Sequence, residues 1–153
     1  MLSKTHLLAA LVVSIFLLEF FSFSHPFIFL LLFCFFTILP DIDSSQSKIG
    51  RGMWPLSALL QLFFGHRGFL HSIFIPLGIL FVSWYYGYLW IGYAAAGGYF
   101  LHLLVDAMTV GGIRFFGPLG GRTRGFFRTG GIVETLFFFC LAILLLWKIA
   151  SFL

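Results

Sequence analysis

Two histidines and an arginine lie within one eight-residue stretch of this sequence, GHRGFLHS at 65–72. The stretch opens a long apolar segment, and ionisable groups at membrane depth are rare and by default mark functional sites. Imidazole binds metals and transfers protons near neutral pH, and guanidinium can hold a phosphate through two parallel hydrogen bonds. The stretch therefore predicts a site for metal-assisted chemistry.

Two more polar pairs interrupt apolar segments. Asp41 and Asp43 flank Ile42 at a predicted helix end, where two carboxylates can converge. His102 and Asp106 are four residues apart, so both side chains lie on one face of a helix. Imidazole and carboxylate together suit Zn, Mn or Fe better than Ca. We expect one or two divalent ions, with Zn²⁺ as the first expectation and Mn²⁺ as the alternative.

The composition indicates an integral membrane protein with a single domain, residues 1–153. The chain is 61% hydrophobic and only 9% charged, whereas soluble domains have about 25% charged residues. Membrane lipids, not nucleic acids, are the expected partners. The composition does not indicate an oligomeric state.

The apolar segments predict an all-α, polytopic transmembrane helical bundle with about five spans. We expect the spans at 7–24, 26–39, 69–86, 88–108 and 132–152. The apolar segment 53–64 is too short to cross a bilayer, so it is expected to form an interfacial or re-entrant helix. If both His66 and His71 bind, a break near Gly68 is needed, because residues five apart do not share a helix face.

Five alternating spans would place most of the chemically active side chains on one side of the membrane. Eight of the ten His and acidic residues fall on the side of the N-terminus: His6, Asp41, Asp43, His66, His71, His102, Asp106 and Glu134. Eight of the nine Lys and Arg residues fall there too, which is the positive-inside pattern. We therefore expect a cytoplasmic N-terminus and an outside C-terminus in the inner or plasma membrane. The first segment follows Lys4 as a signal peptide would, but no clear cleavage site follows, so we expect it to be retained.

Three sequence motifs resemble those of a known family. PDID (40–43), GHRGxxHS (65–72) and HxxxDxxTxxG (102–112) are similar to the motifs of YdjM-like inner-membrane proteins, as are Thr5-His6 and Glu134. That family is described as metal-dependent hydrolases, some of them under LexA control, so the resemblance implies a hydrolase. A weaker resemblance to zinc-dependent phospholipase C and nucleases favours phosphoester chemistry.

The leading metal ligands are His6, Asp41, His71, His102 and Asp106. Asp43, His66 and Glu134 are candidates for ligands, for hydrogen-bond partners of ligands or for the general base, and Arg67 for steadying a phosphate. Taken singly, each has a plainer interpretation, because intramembrane histidines often only join helices and aspartates often only end them. Eight such residues on one side make the plainer interpretation weaker.

Together these features predict a membrane-bound metal-dependent hydrolase that acts at the cytoplasmic face on a lipid phosphoester. One alternative is a metal-ion transporter or sensor, which would need polar groups continuing across the membrane. Another is a structural membrane protein whose polar cluster only packs helices. Metal analysis of the purified protein would separate the last alternative from the other two.

Overall fold

The structure, a computed structural model, describes residues 1–43, 69–117 and 120–151, together with residues 52, 54, 55 and 58. The predicted interfacial helix at 53–64 lies almost wholly outside the described residues. His66 and Arg67 lie outside them, and for Asp43 only the backbone is described.

Within the described residues the fold is all-helical. Its α-helices are α1 (Ser3–Phe20), α2 (Pro26–Ile38), α3 (Phe74–Tyr85), α4 (Leu89–Ala107) and α5 (Ile132–Ala150). Short 3₁₀ helices follow α2 (Leu39–Asp43) and precede α3 (Phe69–His71). By length and composition, α1 and α5 are long and apolar enough to cross a membrane, and α2 and α3 are shorter apolar helices. The all-α prediction is confirmed.

Helix boundaries follow the local sequence. Pro26 occupies the first turn of α2, where its missing N–H costs no hydrogen bond. Gly87 has a φ of 76° in the turn between α3 and α4, a left-handed conformation that glycine adopts readily. The predicted start of the third helix at residue 69 is wrong. Residues Phe69–His71 form a 3₁₀ turn instead, and α3 begins at Phe74 with Pro76 in its first turn.

Helices α2 and α4 approach each other closely in the middle of the bundle. Three small residues of α4, Ala94, Gly97 and Gly98, lie against α2 around the buried ring of Phe33. A Cβ atom at Gly98 would overlap the carbonyl oxygen of Phe33, so glycine is required at this approach. The Thr37 hydroxyl lies 3.0 Å from the Gly98 carbonyl oxygen. The small residues of α4 thus allow the two helices to pack closely.

Contacts at the end of the bundle away from the His and Asp residues give the relative directions of the helices. Lys148, near the end of α5, forms an ion pair of 2.6 Å with Glu19, near the end of α1. His25 and Trp90, at the starts of α2 and α4, have ring centroids 5.4 Å apart. Helices α1 and α5 therefore end where α2 and α4 begin.

The segment between α4 and α5 folds back on itself. Isolated β-bridges join Thr109 to Phe127 and Ile113 to Thr123. Gly112 has a φ of 57°, and a side chain there would overlap the Thr123 backbone. These contacts fix the end of α4, from which two of the candidate ligands project.

Candidate metal centre

Four separate elements bring the five leading candidate ligands to one end of the bundle. Helix α1 contributes His6, the 3₁₀ turn after α2 contributes Asp41, the 3₁₀ turn before α3 contributes His71, and α4 contributes His102 and Asp106. His6, His71, His102 and Asp106 are at most 1% exposed. Chain direction explains the convergence, since α1 starts at this end and α2 and α4 finish at it.

The donor atoms form two groups that share one histidine. The first group is His6, His102 and Asp106, and the second is Asp41, His71 and His102. Within each group, one donor atom from each residue lies within 4.8 Å of the others. Three imidazoles and two carboxylates are the ligand types that zinc and similar divalent metals prefer.

The backbone of α2 determines which nitrogen of His102 faces the other candidate ligands. His102 Nδ1 lies 2.8 Å from the carbonyl oxygen of Thr37. A carbonyl oxygen only accepts hydrogen bonds, so Nδ1 carries the proton and Nε2 presents its lone pair. Nε2 lies 3.9 Å from Asp41 Oδ1 and 3.9 Å from Asp106 Oδ2. A hydrogen bond from the second ring nitrogen to a carbonyl is the usual support of a metal-binding histidine.

His71 and His102 point ring nitrogens at each other. The two Nε2 atoms are 3.3 Å apart. In tetrahedral zinc sites with Zn–N bonds of about 2.0–2.1 Å, neighbouring ligand atoms are about 3.3–3.4 Å apart. The separation of these two nitrogens therefore fits two ligands of a single ion.

His6 and Asp106 form the closest imidazole–carboxylate pair of the first group. His6 Nε2 lies 3.2 Å from Asp106 Oδ1, which is again close to a tetrahedral ligand separation. The His6 ring stacks on His102 with centroids 4.1 Å apart. The α-amino group of Met1 also contacts Asp106 Oδ1. Other separations, such as 4.0 Å from His71 Nε2 to Asp106 Oδ2, would have to shorten around one tetrahedral ion.

Glu134 lies beside this group but its carboxylate is engaged elsewhere. Oε1 accepts hydrogen bonds from the Leu2 N–H at 2.7 Å and the Thr5 hydroxyl at 2.9 Å. Oε2 accepts one from the Gly130 N–H at 2.7 Å. Glu134 thus joins the beginning of α1 to the beginning of α5, and positions the helix that bears His6.

Sequence reasoning missed the hydrogen-bond partners of these residues. Thr37 acts through its backbone carbonyl, so its side-chain type gave no signal. The Ser3 hydroxyl donates a hydrogen bond to Asp41 Oδ2 at 3.1 Å, and the Thr5 hydroxyl donates one to Glu134 Oε1. The Thr109 hydroxyl donates to the Asp106 carbonyl oxygen at 2.7 Å. Thr5 and Thr109 both belong to the sequence motifs, and this was the signal that could have found two of these roles.

The remaining predicted site residues are not among these contacts. His66, Arg67 and the Asp43 side chain lie outside the described residues. The four loop arginines are all exposed: Arg114, Arg122, Arg124 and Arg128. His25 is exposed and lies beside Trp90 at the other end of the bundle.

Comparison with known proteins gives the family. Residues 1–152 match the family described as YdjM inner membrane protein. The chain belongs to this family. It is 37% identical over 108 residues to the uncharacterized protein YvsG of Bacillus subtilis (strain 168), and 33% identical over 93 residues to the inner membrane protein YdjM of Escherichia coli (strain K12). The predicted family resemblance is confirmed, and membership supports a location in the inner membrane.

The chain corresponds to part of these relatives. The alignments cover 65% of this chain and 64% of YvsG, and 57% of this chain and 47% of the Escherichia coli YdjM. The chain therefore spans between about half and two thirds of the length of the curated relatives it matches. No solved structure matches the chain.

Proposed function

We propose that this protein is a membrane-embedded, metal-dependent hydrolase that acts at the cytoplasmic face on a phosphoester of a lipid. The observation that carries the proposal is the convergence of three imidazoles and two carboxylates, from four separate elements, in two groups that share His102. Burying such groups in an apolar bundle is costly, and function is the default explanation for them.

The donor set supports a divalent transition metal, with Zn²⁺ as the first candidate and Mn²⁺ as the second. His102 Nε2 has one lone pair and so serves one ion. A first ion would be held by His102 with neighbours from both groups, and a second would need a shared carboxylate such as Asp106. When bound, such a metal supplies Lewis-acid activation of water and of the ester.

The protein's own residues would position this chemistry. Thr37 fixes the ring of His102, and Glu134 holds the start of α1 so that His6 faces Asp106. His66 and Asp43 remain candidates for moving a proton, and Arg67 for holding the phosphate by a bidentate contact. Glu134 is better supported as a positioning residue than as the base, because its two oxygens accept three hydrogen bonds from α1 and the loop before α5.

The proposal includes a five-span topology, in which α2, α3 and α4 cross the membrane as well as α1 and α5, with the metal site on the cytoplasmic side. The pair Glu19–Lys148 and the contact of His25 with Trp90 mark the opposite end of the bundle. Among the described residues, five of the six Lys and Arg lie in the first turn of α1 or in the segment that joins α4 to α5 at the site end, as the positive-inside rule expects of the cytoplasmic side: Lys4, Arg114, Arg122, Arg124 and Arg128.

The interior of the described bundle favours a hydrolase over a metal-ion transporter. Beyond the His and Asp residues, the described core is an apolar cluster: Ala10, Phe29, Phe33, Cys34 and Ala94. An ion leaving the site towards the other end would have to cross this cluster before it reached Glu19, whose carboxylate pairs with Lys148, and the buried Ser14 hydroxyl on the way donates to the Leu11 carbonyl oxygen. A site at one face of the membrane suits chemistry on a lipid headgroup.

The test is metal-dependent release of phosphate, or of a phosphorylated headgroup, from lipids in detergent micelles. We expect turnover that a chelator removes and added Zn²⁺ or Mn²⁺ restores. His71→Ala should abolish it, whereas His25→Ala, a histidine at the other end of the bundle, should not. Absence of metal-dependent release from a broad panel of phospholipids and polyprenyl phosphates, with release from a carboxylic ester or amide, would overturn the phosphoester assignment.

A further inference from the structure

An apolar groove between α2 and α3 begins beside the candidate metal centre. Helices α2 and α3 both pack on α4, and a cavity of about 380 Å³ lies between them, with Phe36, Ile75 and Ile79 in its walls. A second cavity of about 400 Å³ has the same three residues in its walls and extends to Val82. Since the same three side chains line both, the two cavities lie next to each other, and together they are called the groove.

The groove runs next to the metal centre, because several of its lining residues are close neighbours of candidate ligands in the chain. Pro40 and Ile42 line it and flank Asp41, and Leu70 lines it and precedes His71. Tyr99 lies at its base on α4, one turn before His102. The Tyr99 hydroxyl donates a hydrogen bond of 2.6 Å to the Leu70 carbonyl oxygen, which ties α4 to the 3₁₀ turn that bears His71.

We propose that this groove binds one hydrocarbon chain of the lipid substrate, with the phosphorylated head at the His and Asp residues. The assignment rests on the proposed function and adds the position and number of the chains. The groove walls are almost entirely hydrocarbon, and Tyr99 directs its hydroxyl to Leu70, so the groove offers contact for an alkyl or prenyl chain.

The direction and length of the groove fit a lipid better than a soluble phosphoester. From Ile75 to Val82 the groove follows α3 away from the site, and seven residues of helix extend roughly 10 Å. That is within one leaflet of a hydrocarbon core about 30 Å thick. A lipid from the cytoplasmic leaflet with its head at the metal centre would extend its chain along this path.

The test uses a dodecyl phosphate with a diazirine at the end of its chain, photolysed with the full-length protein in micelles. We expect the label on the α3 peptide that contains Ile79 and Val82, at the end of the groove away from the metal centre. Ile79→Trp fills the groove and should reduce that labelling about tenfold, the scale at which a pocket distinguishes ligands by size. Leu77→Trp is the matched control, because Leu77 is 53% exposed on the same helix and does not line the groove.

Labelling and turnover separate the two proposals. Labelling spread evenly over the outer faces of the helices, and unchanged in Ile79→Trp, would overturn the groove assignment even if lipid phosphoesters were hydrolysed. Groove labelling that Ile79→Trp removes, without any hydrolysis, would support the groove and count against the proposed function. A lower ratio of long-chain to short-chain turnover in Ile79→Trp, but not in Leu77→Trp, would support both.

Discussion

The Nδ1 atom of His102 and the carbonyl oxygen of Thr37 lie 2.8 Å apart across the interface of α2 and α4. This contact sets both the tautomer and the orientation of the imidazole shared by the two donor groups. It exists because Gly98 allows α2 to approach α4 closely. The packing of two helices in the middle of the bundle thereby determines the geometry at its end.

Gly98→Ala should disturb the metal centre from a distance. The new Cβ would overlap the Phe33 carbonyl oxygen, so α2 must move and take Thr37 with it. We expect a lower unfolding temperature, corresponding to about 1–3 kcal/mol of lost stability, and reduced zinc content. Gly78→Ala is the control, because a Cβ there meets nothing within 4 Å. Equal unfolding temperatures for the two variants would argue against this coupling.

Glu134→Ala should destabilise the protein and loosen the site. The substitution removes the carboxylate that accepts hydrogen bonds from the Leu2 N–H, the Thr5 hydroxyl and the Gly130 N–H. A buried donor left without an acceptor costs about 1–3 kcal/mol of folding stability. We expect a lower unfolding temperature together with weaker metal retention. The exposed neighbour Thr135→Ala is the control. If Glu134→Ala instead abolished turnover at unchanged stability and metal content, Glu134 would be the general base, which is one of the roles that the sequence left open for it.

The two ends of the bundle should face opposite sides of the membrane. A reporter active only in the cytoplasm and fused to Leu153 should give no signal, because α5 ends with Lys148 beside Glu19 at the end away from the site. In a variant without Cys34 and Cys140, Gly121→Cys should react with a membrane-impermeant thiol reagent added from the cytoplasmic side and not from the outside. Gly121 is exposed in the loop before α5. Cytoplasmic signals from both positions would contradict five spans.

The sequence predicted the helices, and which candidate ligands would come together at one end of the bundle, because both follow from apolar length, helical spacing and chain direction. Apolar length predicted the helices, and helical geometry put His102 and Asp106 on one face. Counting spans predicted that His6, Asp41 and His71 would share an end with them. No local rule gives which atoms touch, such as the 3.2 Å contact between His6 and Asp106.

Other features depended on tertiary packing or on backbone atoms. Every residue has a backbone carbonyl, so side-chain type could not predict the role of the Thr37 carbonyl. The hydrogen bonds of Glu134 depend on how α1 packs against the loop before α5. The start of α3 was misplaced because the apolar pattern continues unchanged through Phe69, while the chain turns there as a 3₁₀ helix. Hydrophobicity alone does not distinguish these two conformations.

Metal analysis of the protein purified without chelator tests the central claim most directly. The account predicts one or two transition-metal ions per chain, with zinc first, because three imidazoles and two carboxylates converge in two groups. His102→Ala should lose most of this metal, since both groups share that residue, whereas His25→Ala should retain it. A protein that purifies without metal and binds none on addition, or one in which His25→Ala loses as much metal as His102→Ala, would contradict the account.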